Sequence, residues 1–163
     1  MDNGMRKATF AAGCFWGVEI DFANTIGVTA TRVGYLGGSV DEPSYEDVCT
    51  GRTGHAEAVE LEFDPERVSY DELVQRFLAL HDPTQRDRQG PDVGSQYRSA
   101  VFAHTPEQAQ AARRVIAANQ ERFGGRIVTE VDDAGAFWPA EEYHQRYLER
   151  RGMATCAVPA RVA

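Results

Sequence analysis

Positive charge is scarce in this chain. Lys7 is its only lysine, the remaining basic residues are scattered arginines, and the formal net charge is −8. That balance excludes the basic patch that nucleic acid or an anionic membrane surface requires, so neither partner is expected. Long apolar runs are also missing. No stretch approaches the 20 or so residues needed to span a bilayer, and residues 1–7 are too short and polar for a secretion signal. A cytoplasmic, reducing location is expected. Cysteine is sparse: Cys14, Cys49 and Cys156 are the full set. An odd, low number does not make a disulfide scaffold. No C-x-x-C pair exists, and His55, His81, His104 and His144 lie far apart in sequence without ligand spacing. No metal site and no cofactor are expected. Buried inert thiols or thiol chemistry remain.

What is present fits a single domain over residues 1–163, long enough to bury a core without staples. Residues 6–12 read as a short apolar strand. Phe15, Val18, Phe22 and Ile26 then recur at helical spacing, and Gly27 ends that helix. Residues 28–35 and 56–63 read as strands, separated by a long Gly/Pro/Asp/Ser-rich segment. Ser69 and Glu72 form a capping box, and Leu73, Val74, Phe77 and Leu78 give its helix a buried face. Residues 81–96 are almost wholly polar, and a loop of that length in a compact domain is usually functional or disordered. Residues 97–104 read as a strand. Thr105 and Pro106 start a helix that Gly124 closes. Residues 126–131 read as a strand, and 140–150 as a final helix with Tyr143 and Tyr147 one turn apart. An irregular tail, 152–163, carries Cys156. The fold class is α+β: a mixed, mainly antiparallel sheet covered by helices, with a ferredoxin-like core expected.

The chemistry centres on "ATFAAGCFWGVEIDF", residues 8–22. Cys14 stands where a strand gives way to a helix. Unpaired backbone N–H groups and the helix dipole favour an anion there, and the thiolate is the reactive form of cysteine. Trp16 beside it could line an apolar pocket. The same local pattern suits a small thiol and two aromatics packed into a tight junction, so the local sequence leaves catalysis and packing both open.

Longer motifs extend the reading. "GCFWG", "RVGYLGG", "PSYEDVCTGRTGHAEAVELEFDP", "HDPTQRDRQGPDVGSQYRSAVF" and "AEEYHQRYL" occur in that order. Together they resemble the A-class peptide methionine sulfoxide reductases over roughly residues 6–156. The resemblance implies that Cys14 attacks the sulfoxide sulfur and takes its oxygen as a sulfenic acid. It implies that Phe15 and Trp16 hold the substrate methyl group. Glu57 would polarise or protonate the sulfoxide oxygen, Tyr45 and Tyr97 would hydrogen-bond it, and Asp92 would lie near the site. A sulfoxide is a poor electrophile until its oxygen is protonated or strongly hydrogen-bonded, so donors of these types suit the reaction. The sulfenic acid then needs a second thiol. The resemblance assigns that role to Cys156, forming a Cys14–Cys156 disulfide that thioredoxin reduces. Cys156 sits in "MATCAVP" without the flanking glycines of many relatives, and Cys49 is read as structural or incidental. The implied substrate is methionine S-sulfoxide, free or in proteins, and a monomer is expected.

Overall fold

The computed structural model describes residues 6–152; Cys156 and the rest of the tail from 153 lie outside the described residues. Six strands form the main sheet: β1 (Arg6–Ala12), β2 (Val28–Leu36), β3 (Ala56–Phe63), β6 (Ser99–Ala103), β7 (Glu130–Asp133) and β8 (Trp138–Pro139). Their order is β7-β6-β1-β3-β2-β8. Every pair is antiparallel except β6 with β7. The helices are α1 (Phe15–Ala23), α2 (Tyr45–Cys49), α3 (Tyr70–Ala79), α4 (Pro106–Asn119) and α5 (Tyr147–Arg150). The mainly antiparallel α+β expectation holds. Its central four strands run β6-β1-β3-β2; along the chain α1 joins β1 to β2, the short α2 lies between β2 and β3, and α3 lies between β3 and β6.

Strand period explains which face the helices cover. Alternate residues point to opposite faces. Phe10 of β1, Tyr35 of β2, Val59 and Leu61 of β3 and Val101 of β6 share one core with apolar residues of α1, α3 and α4. The Phe10 ring is sandwiched there between Phe22 and Phe77, each with its centroid 5.1 Å away. The other face carries smaller side chains such as Ala11, Ala58 and Ala100, under Ala134 and Phe137. Glu57 is therefore in the register of Val59 and Leu61, on the helix-covered face.

Several elements depart from the sequence expectation, each for a local reason. Helix α1 stops at Ala23, so Ile26 leaves the helical face and is 75% exposed. Thr25 turns its hydroxyl to the Asp21 carbonyl, and its N–H to that of Phe22. The strand expected over 97–104 begins at Ser99, because residues 95–97 form a 3-10 turn. Ile127 and Val128 do not join the sheet; their N–H groups donate to the Gln120 side chain and the Pro83 carbonyl. The polar stretch 81–96 folds on itself into a small hairpin, β4 (Arg88–Gln89) with β5 (Asp92–Val93).

The largest correction concerns residues 140–150. They form a 3-10 turn at Glu142–His144 and the short helix α5, not one helix. Arg146 between them is left-handed, with φ 52°. Tyr143 and Tyr147 therefore do not share a helical face. Side chains impose this break. The Gln145 amide pairs with both the N–H and the C=O of Val33 and also donates to the Ala140 carbonyl. The Arg146 N–H donates to Glu19 Oε1 at 2.7 Å. The segment is thus a strap laced onto β2 and α1.

Glu19 is buried, with Thr31 donating to its other oxygen at 2.8 Å. Burial pushes its carboxyl above the usual range, against the opposing pull of Thr31 and Arg146. A raised folded value stabilises the protein fully below the unfolded value, about 4.3, and that stabilisation is lost as pH rises through the folded one. Glu19→Gln can set its amide oxygen against the Arg146 N–H and its NH2 against the Thr31 hydroxyl, which then accepts, and it removes the titration. Urea unfolding across pH should show the variant gaining stability relative to wild type as pH rises; parallel profiles would refute the assignment.

Candidate active site

The site is assembled at the end of the sheet where β1 runs into α1. Gly13, at φ 98°, makes the turn, and Cys14 follows as the residue before the first helical turn. A side chain at Gly13 would strain that backbone. Cys14 is half-buried. The next backbone amide, Phe15 N–H, donates to Glu57 Oε1 at 3.2 Å. Glu57 is 1% exposed. Its place in β3 puts an acid directly under the start of α1, next to Cys14 in the chain.

Tyr45 and Tyr97 come from separate loops to the same place. A capping box at Ser44 and Asp47 starts α2 and fixes Tyr45 as its first residue. The Tyr97 phenol is pushed up first by burial, then by its electrostatic coupling to Glu57, Cys49, Asp92 and Cys14. The Tyr45 phenol is pushed up by burial, by its hydrogen bond to Cys49, and by Glu57. Both phenols therefore remain O–H donors at neutral pH. These mutual effects bring Cys14, Glu57, Tyr45, Tyr97 and Asp92 into one electrostatic neighbourhood. Asp92 is half-buried in β5, three residues before the turn that carries Tyr97. Cys49 is exposed as a residue, but partial loss of solvation still pushes its thiol up, with Tyr45 pulling the other way.

The aromatic wall is divided between two roles. Phe15 is 1% exposed, with its ring against Tyr35, Tyr45 and His144 at 5.2–6.5 Å. Trp16 is half-buried and stacks flat on Tyr147, centroids 3.8 Å apart. Its indole N–H donates to His144 Nδ1 at 2.9 Å.

Three residues of this framework carried no functional weight in the sequence: Glu141, His144 and Tyr147. Glu141 ties the site together. Its Oε1 accepts from the Tyr35 hydroxyl at 3.0 Å and its Oε2 from the Tyr45 N–H at 2.9 Å. The acid-rich, aromatic run "AEEYHQRYL" held the signal, but reading it as a continuous helix hid which side chains turn inward. Among the described residues, no group of three or more His, Cys, Asp or Glu side chains is placed to hold a metal ion.

Comparison with known proteins gives a consistent result. The family model described as peptide methionine sulfoxide reductase matches residues 6–163. A curated relative from Geobacter metallireducens, named peptide methionine sulfoxide reductase MsrA, is 58% identical over 156 residues, 93% of this chain and 95% of its own. The solved methionine sulfoxide reductase A of Corynebacterium diphtheriae superposes with a TM-score of 0.88 at 40% identity, covering 96% of this chain and 80% of that one. Mxr1 from Saccharomyces cerevisiae in reduced form gives 0.90 at 32% identity, covering 99% and 93%. Mxr1 has also been solved in complex with Trx2; at 23% identity, with a TM-score of 0.65 and coverage of 90% and 87%, that structure shows likeness of fold.

Glu141 provides a test of how the site is held. Burial raises its carboxyl, but donation from the Tyr45 N–H, its own N–H and the Tyr35 hydroxyl, with His144 nearby, leaves it below the usual range. A lowered folded value contributes stability above the unfolded value, lost as pH falls through the folded one. Glu141→Ala leaves two donors without an acceptor and should cost about 1–3 kcal/mol at pH 7, with the difference from wild type shrinking in acid. Denaturant melts at pH 7 and pH 3 check this; a cost independent of pH would contradict it.

Proposed function

The chain belongs to the peptide methionine sulfoxide reductase family, oxidoreductases that reduce methionine sulfoxide, and from that premise we propose that Cys14 is the nucleophile of this reaction, with methionine S-sulfoxide, free or in proteins, as its substrate. The observation that carries the reading is the Phe15 N–H to Glu57 bond, which sets a buried carboxyl beside the start of α1 where Cys14 sits. Burial out of water favours the uncharged form of a carboxyl. Because Oε1 accepts from the backbone, a proton on Glu57 resides on Oε2.

The chemistry balances in two stages. The Cys14 thiolate attacks the sulfoxide sulfur while Glu57 delivers a proton to the oxygen, and Tyr45, turning its hydroxyl from Cys49, and Tyr97 donate hydrogen bonds to it. The attack forms a bond between the two sulfurs; that bond and the S–O bond of the substrate then break as an S–O bond forms at Cys14, so methionine is released and Cys14 keeps the oxygen as a sulfenic acid. The substrate sulfur is reduced by two electrons and the Cys14 sulfur is oxidised by two. Asp92, through its charge near Tyr97, helps set the electrostatics around the oxygen. Trp16 supplies an apolar surface for the methyl group, and Phe15 backs the site from the core side.

In the second stage Cys156, outside the described residues, attacks the sulfenic sulfur. This forms the Cys14–Cys156 disulfide and releases water. Thioredoxin then reduces the disulfide by exchange. The complex of Mxr1 with Trx2 supports a donor of this class. A single catalytic unit over residues 1–163, acting as a cytoplasmic monomer, completes the proposal. No described helix is long and apolar enough to cross a membrane.

The test is a stereospecific sulfoxide assay with thioredoxin, run beside hydrogen peroxide. Wild type should reduce methionine S-sulfoxide in preference to the R epimer. Cys14→Ser should be inactive. Cys156→Ser should form one methionine per enzyme and then stop. Faster consumption of peroxide than of sulfoxide overturns the reading, and normal thioredoxin-driven cycling by Cys156→Ser overturns the tail assignment.

A further inference from the structure

His144 is the least accounted-for polar side chain of the site. It is 1% exposed and lies at the centre of an aromatic cluster, its ring 4.5 Å from Tyr45 and 5.2 Å from Phe15. The direction of its hydrogen bond fixes its chemical state. An indole N–H is a donor only, so the Nδ1 that receives it from Trp16 must be unprotonated. The imidazole is therefore neutral, with its proton on Nε2. Burial, the first of two influences, pushes the ring toward that neutral form, and Glu141 pulls the other way. The Nε2 atom is buried and has no hydrogen-bond partner among the described residues. A buried donor left in that condition costs free energy, so such groups tend to survive where they serve function. Here the tautomer that strands Nε2 is the one that accepts from Trp16.

The other side of the indole is equally determined. Tyr147 stacks on Trp16 at 3.8 Å with planes 10° apart, and the Arg151 guanidinium covers the Tyr147 ring at 4.3 Å. Tyr147 reaches this position because Arg146 is left-handed, and the Arg146 N–H is bonded to Glu19, three residues after Trp16 in α1. One strap thus holds the indole by edge and by face.

We propose that His144 is a positioning residue for substrate recognition: its Nδ1 fixes the Trp16 indole edge, so that with Tyr147 the ring becomes a rigid wall for the substrate methyl group. The proposal rests on the reading of Trp16 as the surface that meets that methyl. A fixed wall pays its ordering cost on folding, not on binding. Losing the anchor weakens ground-state and transition-state binding alike, which raises KM more than it lowers kcat.

The test uses full-length protein with Trp138→Phe, leaving Trp16 as the sole tryptophan. His144→Phe keeps a ring in the cluster and removes the acceptor. His144→Asn places Oδ1 close to the position of Nδ1 and keeps it. His144→Leu serves as a second acceptor-free variant if His144→Phe does not fold. The acceptor-free variant should raise KM for methionine sulfoxide about tenfold, with a smaller change in kcat. Its Trp16 emission should shift and its anisotropy fall, and His144→Asn should restore both toward wild type. Wild-type KM in the acceptor-free variant, or equal damage in the acceptor-free and Asn variants, overturns the proposal. Trp16→Leu is measured alongside. A wild-type KM there overturns the reading of Trp16 itself, whereas a raised KM there with a wild-type KM in the acceptor-free His144 variant overturns only the role of His144.

Discussion

The site depends on one buried contact, the hydrogen bond from the Phe15 amide to Glu57 Oε1. It joins the first turn of α1 to the middle of the sheet and couples two demands that ordinarily conflict. A helix start leaves amides without intrahelical acceptors, and a buried carboxyl needs donors. Each satisfies the other. In the proposed reaction the same bond orients the carboxyl, so that its second oxygen carries the proton that the sulfoxide receives. Burying an acid in β3 would otherwise oppose folding. It is supported here because its partner is a backbone group that no substitution short of proline removes.

Around this contact the molecule supplies order by lacing rather than by regular structure. The strap at 140–147 is held by Glu141 to Tyr35 and Tyr45, by Gln145 to Val33, and by Arg146 to Glu19. Every anchor lands on β2, α1 or α2, the elements that bound the site. A regular helix would present its side chains at fixed intervals along one face. The broken strap instead turns His144 inward beneath the rings of Phe15 and Trp16 while leaving Tyr143 exposed. Loops held in this way place functional groups on a rigid sheet without lengthening it.

Much of this was legible in the sequence, and the misses have physical causes. The strand and helix spacing around Cys14 gave the junction, and Ser69 with Glu72 and Thr105 with Pro106 marked helix starts that the structure reproduces. The burial of Glu57 was also within reach, since it shares its strand face with Val59 and Leu61, but an acid in a strand ordinarily reads as solvent-facing. The tertiary core overrode that expectation. The strap was misread because Tyr143 and Tyr147 have helical spacing, whereas what decides the local conformation is the Gln145 amide bonding across to β2, 112 residues away in sequence. No local pattern encodes so distant an acceptor. Ile127 fails to join the sheet for the same kind of reason, a side-chain partner at Gln120.

The central claim, that Glu57 gives its proton to the sulfoxide oxygen while bound to the start of α1, is tested most directly by a rapid-quench single turnover of the Glu57→Gln variant. Glutamine keeps an acceptor for the Phe15 amide and a donor for the substrate oxygen but has no acidic proton. Methionine formation in the first turnover should fall by about 10²–10⁴-fold, with the variant folded as wild type. First-turnover formation at the wild-type rate would contradict the account.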